Sequence, residues 1–155
     1  MVVPARASAL AQDLEVAAAS LIDVIGRIGP TLWNELPAPG VWSIGKDVAH
    51  VIDAGAYHQW VVRLTIGEPV SSRRPAIERK VLRTTLSADE ATTALRARTE
   101  EGLSLIRRLT DAQLDMPTRP PRSHGERLAA TIERVLIGHY GVHRTDIEAK
   151  LAAFG

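Results

Sequence analysis

Four stretches of helical periodicity, the first three each followed by a glycine–proline break or a proline-bearing connection, commit this chain to an α-helical architecture. In the first, from Pro4 to Ile28, the apolar residues Leu10, Leu14, Ala17, Leu21, Val24 and Ile28 recur at steps of three and four, and Gly29-Pro30 ends the run. The second opens at Ser43, a good N-cap, and runs to Ile66, where Gly67-Glu68-Pro69 stops it. The third starts at Ser87-Ala88-Asp89-Glu90, a capping box, and continues through Leu95, Gly102, Ile106 and Leu109. The fourth spans Arg127 to Phe154, with Leu128, Ile132, Val135, Leu136, His139, His143 and Ile147 on one inward side. Only Lys80–Leu86 has any strand character, and it is short and alone. The expected fold is an all-α four-helix bundle forming one domain over residues 1–155. The connections at residues 67–86 and 110–127 are 20 and 18 residues long. Simple helical hairpins need only about 2–8, so crossovers that partly cover one end of the bundle are expected.

Composition narrows the function. A chain of 155 residues buries roughly 70% of its unfolded surface. The formal net charge of +1 argues against a nucleic-acid or membrane-surface partner and leaves a small-molecule substrate. There is no cysteine, which excludes disulfides, thiolate ligands and a cysteine nucleophile. Arg6, Gln12, Asp13 and Glu15 interrupt any signal-peptide core, and no apolar run suits a membrane span, so a cytoplasmic location is expected.

The histidines carry the chemistry. His139 and His143 are four residues apart on the fourth helix, so their imidazoles stack on one face and can share one divalent ion. A chance pair on a surface helix is the alternative. Both positions fall on the apolar side, however, where two unpartnered imidazoles are costly. His50 lies on the second helix, whose face continues through Ala54, Tyr57 and Val61. Three imidazoles with an open fourth position form the pattern of a working metal site.

The remaining candidates divide less cleanly. His58 is eight residues past His50, about 80° round and about 12 Å along the helix, so it is assigned a surface or packing role. His124, in the proline-rich connection, is expected to be exposed. Asp47 and Asp146 stand three residues from His50 and His143, as carboxylates that orient an imidazole or as a fourth ligand. Asp47 is equally explained by its place in a helix first turn. A di-iron site would need paired Glu-x-x-His motifs that the chain lacks. The basic stretch Arg73, Arg74, Arg79, Lys80 and Arg83 faces one acid, Glu78, and reads first as a solvated loop and second as an anion site. Trp33, Trp42 and Tyr140 are either core or pocket wall. No Gly-x-Ser-x-Gly elbow and no phosphate-binding glycine loop is present.

Two patches resemble one family. Trp42-Ser43-x4-Val48-x-His50-Val51 is similar to the start of the second helix in the DinB-like family, also described as YfiT-like metal-dependent bundles, and His139-x3-His143-Arg144-x2-Ile147 is similar to its paired C-terminal histidines. The resemblance covers nearly the whole chain. It implies an up-down-down-up four-helix bundle with one divalent metal, zinc or nickel, on His50, His139 and His143. It also implies a transferase or isomerase that uses a low-molecular-weight thiol such as mycothiol or bacillithiol, and a homodimer. Metal-assisted hydrolysis and a non-catalytic, stress-related metal-binding bundle are the alternatives. The chain departs from the family at Arg144-Thr145-Asp146, where many members have small or polar residues.

Overall fold

Each long helix begins or ends where its local chemistry dictates. The computed structural model describes residues 2, 4–119 and 124–155. Helix α1 (Ala5–Gly26) is followed by a single turn, α2 (Pro30–Trp33), with Pro30 in the first helical position. Helix α3 (Ile44–Thr65) is capped by Ser43, whose hydroxyl accepts from Lys46 N at 3.1 Å. Helix α4 (Ala88–Arg107) carries both arms of the Ser87/Glu90 capping box. A second capping box, Thr110 with Gln113, starts the short α5 (Asp111–Leu114) inside a connection expected to be irregular. The last helix is continuous over residues 128–154 and comprises α6 (Leu128–Thr131), a π-helical segment (Ile132–Ile137) and α7 (Gly138–Phe154).

Named contacts fix the direction of each helix. Glu15 pairs with Arg107, and Ala18 and Ile22 line a groove with Arg96 and Thr99, so α1 and α4 are antiparallel. Gln59 Nε2 donates to Arg98 O at 2.9 Å, and Glu68 pairs with Arg108, so α3 runs parallel to α4. Asp47 pairs with Lys150, while His58 meets His139, so α3 and α7 are antiparallel. Ala17 lies by Arg144 and Arg27 by Glu148, so α1 and α7 are parallel. The order is up-down-down-up, as the resemblance implied. Helices α1 and α3 sit on opposite corners, as do α4 and α7.

One core joins all four helices. It includes Leu10, Leu14 and Leu21 from α1, Val48 and Val51 from α3, Leu95 and Ile106 from α4, and Leu128, Ile132 and Ile147 from the last helix. On α1 Ala18 is buried where Ala17 was expected, and Ala17 is only partly buried, a one-residue shift from the expected stripe. Trp33 and Tyr140 belong to the core, and the Tyr140 hydroxyl lies 3.0 Å from Thr99 Oγ1. The tyrosine hydroxyl is buried, and that desolvation pushes its pKa up.

The connections are tied down at the end where α3 begins. Trp33 Nε1 donates to Leu86 O at 2.8 Å, Asn34 Nδ2 to Thr84 O at 3.1 Å, and Ser43 N to Leu82 O at 2.9 Å. Lys80–Leu86 therefore docks by scattered hydrogen bonds, and no strand forms among the described residues. Gly45 makes this docking possible, because a Cβ there would lie 2.7 Å from both Trp33 Nε1 and Thr84 Cγ2. Of the prolines expected in the last connection, Pro120 and Pro121 lie outside the described residues. No helix among the described residues is long and apolar enough to cross a membrane.

Candidate metal centre

The π-helical segment decides where the histidines point. From Leu128 to Ile147 is 19 residues. At about 100° per residue an uninterrupted α-helix would leave these two side chains about 100° apart. A π-turn inserts one residue into the α register and so absorbs about 100°. Leu128, Ile132 and Leu136 before or within it, and His143 and Ile147 after it, are accordingly all buried. Gly138 N donates to Glu133 O, five residues back, and a Cβ on Gly138 would lie 3.1 Å from that oxygen. Glycine immediately before His139 therefore accommodates the wide turn.

Helices α3 and α7 run antiparallel here and bring the three predicted residues together. One ligand-capable atom of each of His50, His139 and His143 lies within 4.8 Å of the others. Ring centroids are 5.0 Å apart for His50–His139 and for His50–His143, and 4.6 Å for His139–His143. Tetrahedral zinc with Zn–N bonds of about 2.0–2.1 Å needs nitrogens about 3.3 Å apart, a separation inside that limit. His50 and His143 are buried and His139 is half-buried. His50 Nδ1 is buried without a hydrogen-bond partner among the described residues. Burial, reinforced by the nearby His143, Arg79 and Lys46, lowers the His50 pKa to about 4, while Asp47 opposes the shift. Its imidazole is neutral at pH 7, the form that ligates metal.

Asp47 is the carboxylate that contacts the cluster. Its Oδ1 lies 3.3 Å from His143 Nδ1, and its Oδ2 accepts from Lys150 Nζ. The Asp47 side chain is 3% exposed and that of His143 is 10% exposed, so solvent hardly screens the pair. Lys150 escaped the reading of the sequence, although it stands seven residues past His143, two helical turns along the same face. Asp146 joins a second cluster with Asp47 and His143 whose ligand atoms also lie within 4.8 Å. Asp146 is exposed, however, and both Asp47 oxygens are already engaged.

Other residues form the walls. Trp42 covers one side of His50, with ring centroids 5.1 Å apart, and Lys46 Nζ sits 5.4 Å above the Trp42 ring. His58 is buried and packs edge-on against His139 at 5.5 Å. Of its two expected roles, the structure keeps packing and removes surface; His58 is not in the three-histidine group. His124 is exposed, with φ of 38°. At the family departure, Arg144 lines a groove with α1 residues Asp13, Val16 and Ala17, and Thr145 Oγ1 donates back to Gly141 O at 3.1 Å.

Three converging imidazoles, with a carboxylate against one of them, form a candidate donor set for a borderline divalent ion. No curated protein and no solved structure matches the chain at a significant level. The family model of the DinB superfamily matches residues 13–147, a span that reaches from α1 into α7 and includes the three histidines. The chain therefore belongs to the DinB superfamily.

Proposed function

We propose that this chain is a metal-dependent enzyme in which His50, His139 and His143 hold one divalent ion, zinc or nickel, and that it transfers a low-molecular-weight thiol such as mycothiol or bacillithiol to an electrophilic small molecule. The observation that carries the reading is the convergence of three imidazoles from two antiparallel helices around the orphaned, neutral His50 nitrogen. When bound, an ion held by three neutral ligands keeps its +2 charge and lowers the pKa of a thiol or water at a fourth position. The chain has no cysteine, so the thiol comes from solution.

The protein's own residues prepare the site. The Asp47 contact orients the His143 ring and selects the tautomer with the proton on Nδ1, leaving the Nε2 lone pair for the ion. Lys150 balances the buried Asp47 charge. Trp42 shields His50 on one side. These contacts also weaken the hydrolytic alternative, because Asp47 is held by His143 and Lys150 and is not available as a general base.

Metal analysis of purified protein and of H143A, combined with electrophile consumption with and without added mycothiol or bacillithiol, tests the proposal. The expected result is one ion per chain, a large loss of metal in H143A, and turnover only with thiol. Full metal content in H143A refutes the site. Metal retention with no thiol-dependent turnover and a large fall in Tm on chelation identifies the non-catalytic bundle instead.

A further inference from the structure

The basic stretch after α3 is exposed, as a solvated loop would be, but it is anchored at several points. Lys46, itself buried, donates from Nζ to Glu78 O at 2.6 Å. Trp60 Nε1 donates to Ser71 O at 3.0 Å, and Arg73 N to Ser71 Oγ at 3.2 Å. Between these ties, Arg73, Arg74 and Arg79 line a cleft of about 510 Å³, closed on one side by Tyr57 of α3. That volume suits a small molecule, since ligand clefts run from about 300 to 1,000 Å³. Three guanidiniums line the cleft and none of its lining residues is acidic. Among the described residues none of the three makes an ion pair, and the adjacent Glu78 carboxylate accepts from Lys80 N at 2.7 Å.

Ring contacts link the cleft wall to the histidines. Tyr57 is seven residues past His50, two turns along the same face of α3 and about 10 Å along its axis. Tyr57 meets His58 at 5.8 Å, and His58 meets His139 at 5.5 Å. Arg79 lies within electrostatic reach of His50.

We propose that Arg73, Arg74 and Arg79 bind the anionic group, carboxylate or phosphate, of a small substrate or thiol whose reacting end extends along α3 to the three-histidine centre. The orientation rests on the metal-site reading above; the anion site itself does not. Arginine's planar fork matches either anion in a bidentate pair, and three uncompensated guanidiniums gain by taking one. The ligand class is therefore an elongated, singly or doubly charged anion with its electrophile or thiol at the far end.

Two readouts test this. In cobalt-loaded protein, 6-mercaptohexanoate and 6-mercaptohexanol are compared through the thiolate-to-cobalt absorption band. The anionic thiol is expected to bind about tenfold tighter, the gain from several partly screened charge pairs. The R73Q/R74Q/R79Q variant is expected to lose that preference while keeping its metal. These side chains are exposed, so the fold survives their replacement. Equal affinities, or a preference that survives the triple variant, overturn the proposal. In metal-free protein, succinate and inorganic phosphate are titrated while the arginine Nε–H resonances are followed. Shifts that vanish in the triple variant support the anion site even where metal analysis has refuted the histidine site, and the stronger of the two anions identifies the group. No shift with either anion refutes the cleft.

Discussion

Replacing Asp47 by asparagine removes a charge from the least solvated part of the site and leaves the side-chain volume almost unchanged. Two consequences follow from the geometry. His143 Nδ1, 3.3 Å from the carboxylate, loses its anionic partner, so neither tautomer nor ring orientation is held as firmly. Removal of such an orienting carboxylate typically weakens metal binding about 10- to 100-fold, or about 1.4–2.8 kcal/mol. Lys150, whose side chain is 14% exposed, also loses its counter-charge. A stranded buried charge costs about 3–5 kcal/mol when fully enclosed; partial access to water brings this to about 1–3 kcal/mol in the metal-free protein. The assay is zinc titration against a chromophoric chelator, alongside thermal melts with and without metal. D47N should show both losses. The double variant D47N/K150M should recover stability without recovering affinity, because it removes the stranded ammonium but not the need to orient His143. Zinc affinity within about twofold of wild type in D47N would refute the reasoning, since it falls well below the 10-fold lower bound for such a carboxylate.

Two further outcomes follow. In metal-free protein the His50 ring should titrate near pH 4, followed by its imidazole resonances; a midpoint near 6.5 would show that burial does not hold it neutral. The unfolded chain then binds the extra proton first, so His50 stabilises the fold fully above about pH 6.5 and loses that contribution as pH falls towards 4. G138A should lower Tm or leave it unchanged, despite the roughly 0.5–1 kcal/mol that alanine normally gains over glycine in a helix, because its Cβ presses on Glu133 O; a rise in Tm would show that the π-turn imposes no such demand.

Much of this architecture was legible in the sequence because it is written in local chemistry. The Ser43 and Ser87 caps and the Gly29-Pro30 and Gly67–Pro69 breaks set helix ends within a residue or two of those observed. His139 and His143 were legible because step-four spacing on an apolar face leaves few satisfactory alternatives, and His50 because its helix face continues through apolar residues and matches the family pattern. What escaped depends on distance along the chain or on departures from regular geometry. Lys150 meets Asp47 across 103 residues, and no local pattern announces such a pair. The stripe from Leu128 to Ile147 is incompatible with a uniform α-helix, and only the π-turn reconciles its two halves. The arginine stretch is exposed, as its charge suggested, but its anchoring was not legible because its anchors, Lys46 and Trp60, belong to another element.

X-ray absorption at the metal edge of purified protein, compared with the H50A/H139A/H143A variant, tests the central claim most directly. The account predicts one ion per chain with three imidazole nitrogens at about 2.0–2.1 Å, one further ligand from outside the trio, and no metal in the triple variant. A carboxylate-dominated shell, or metal retained without the three histidines, would contradict it.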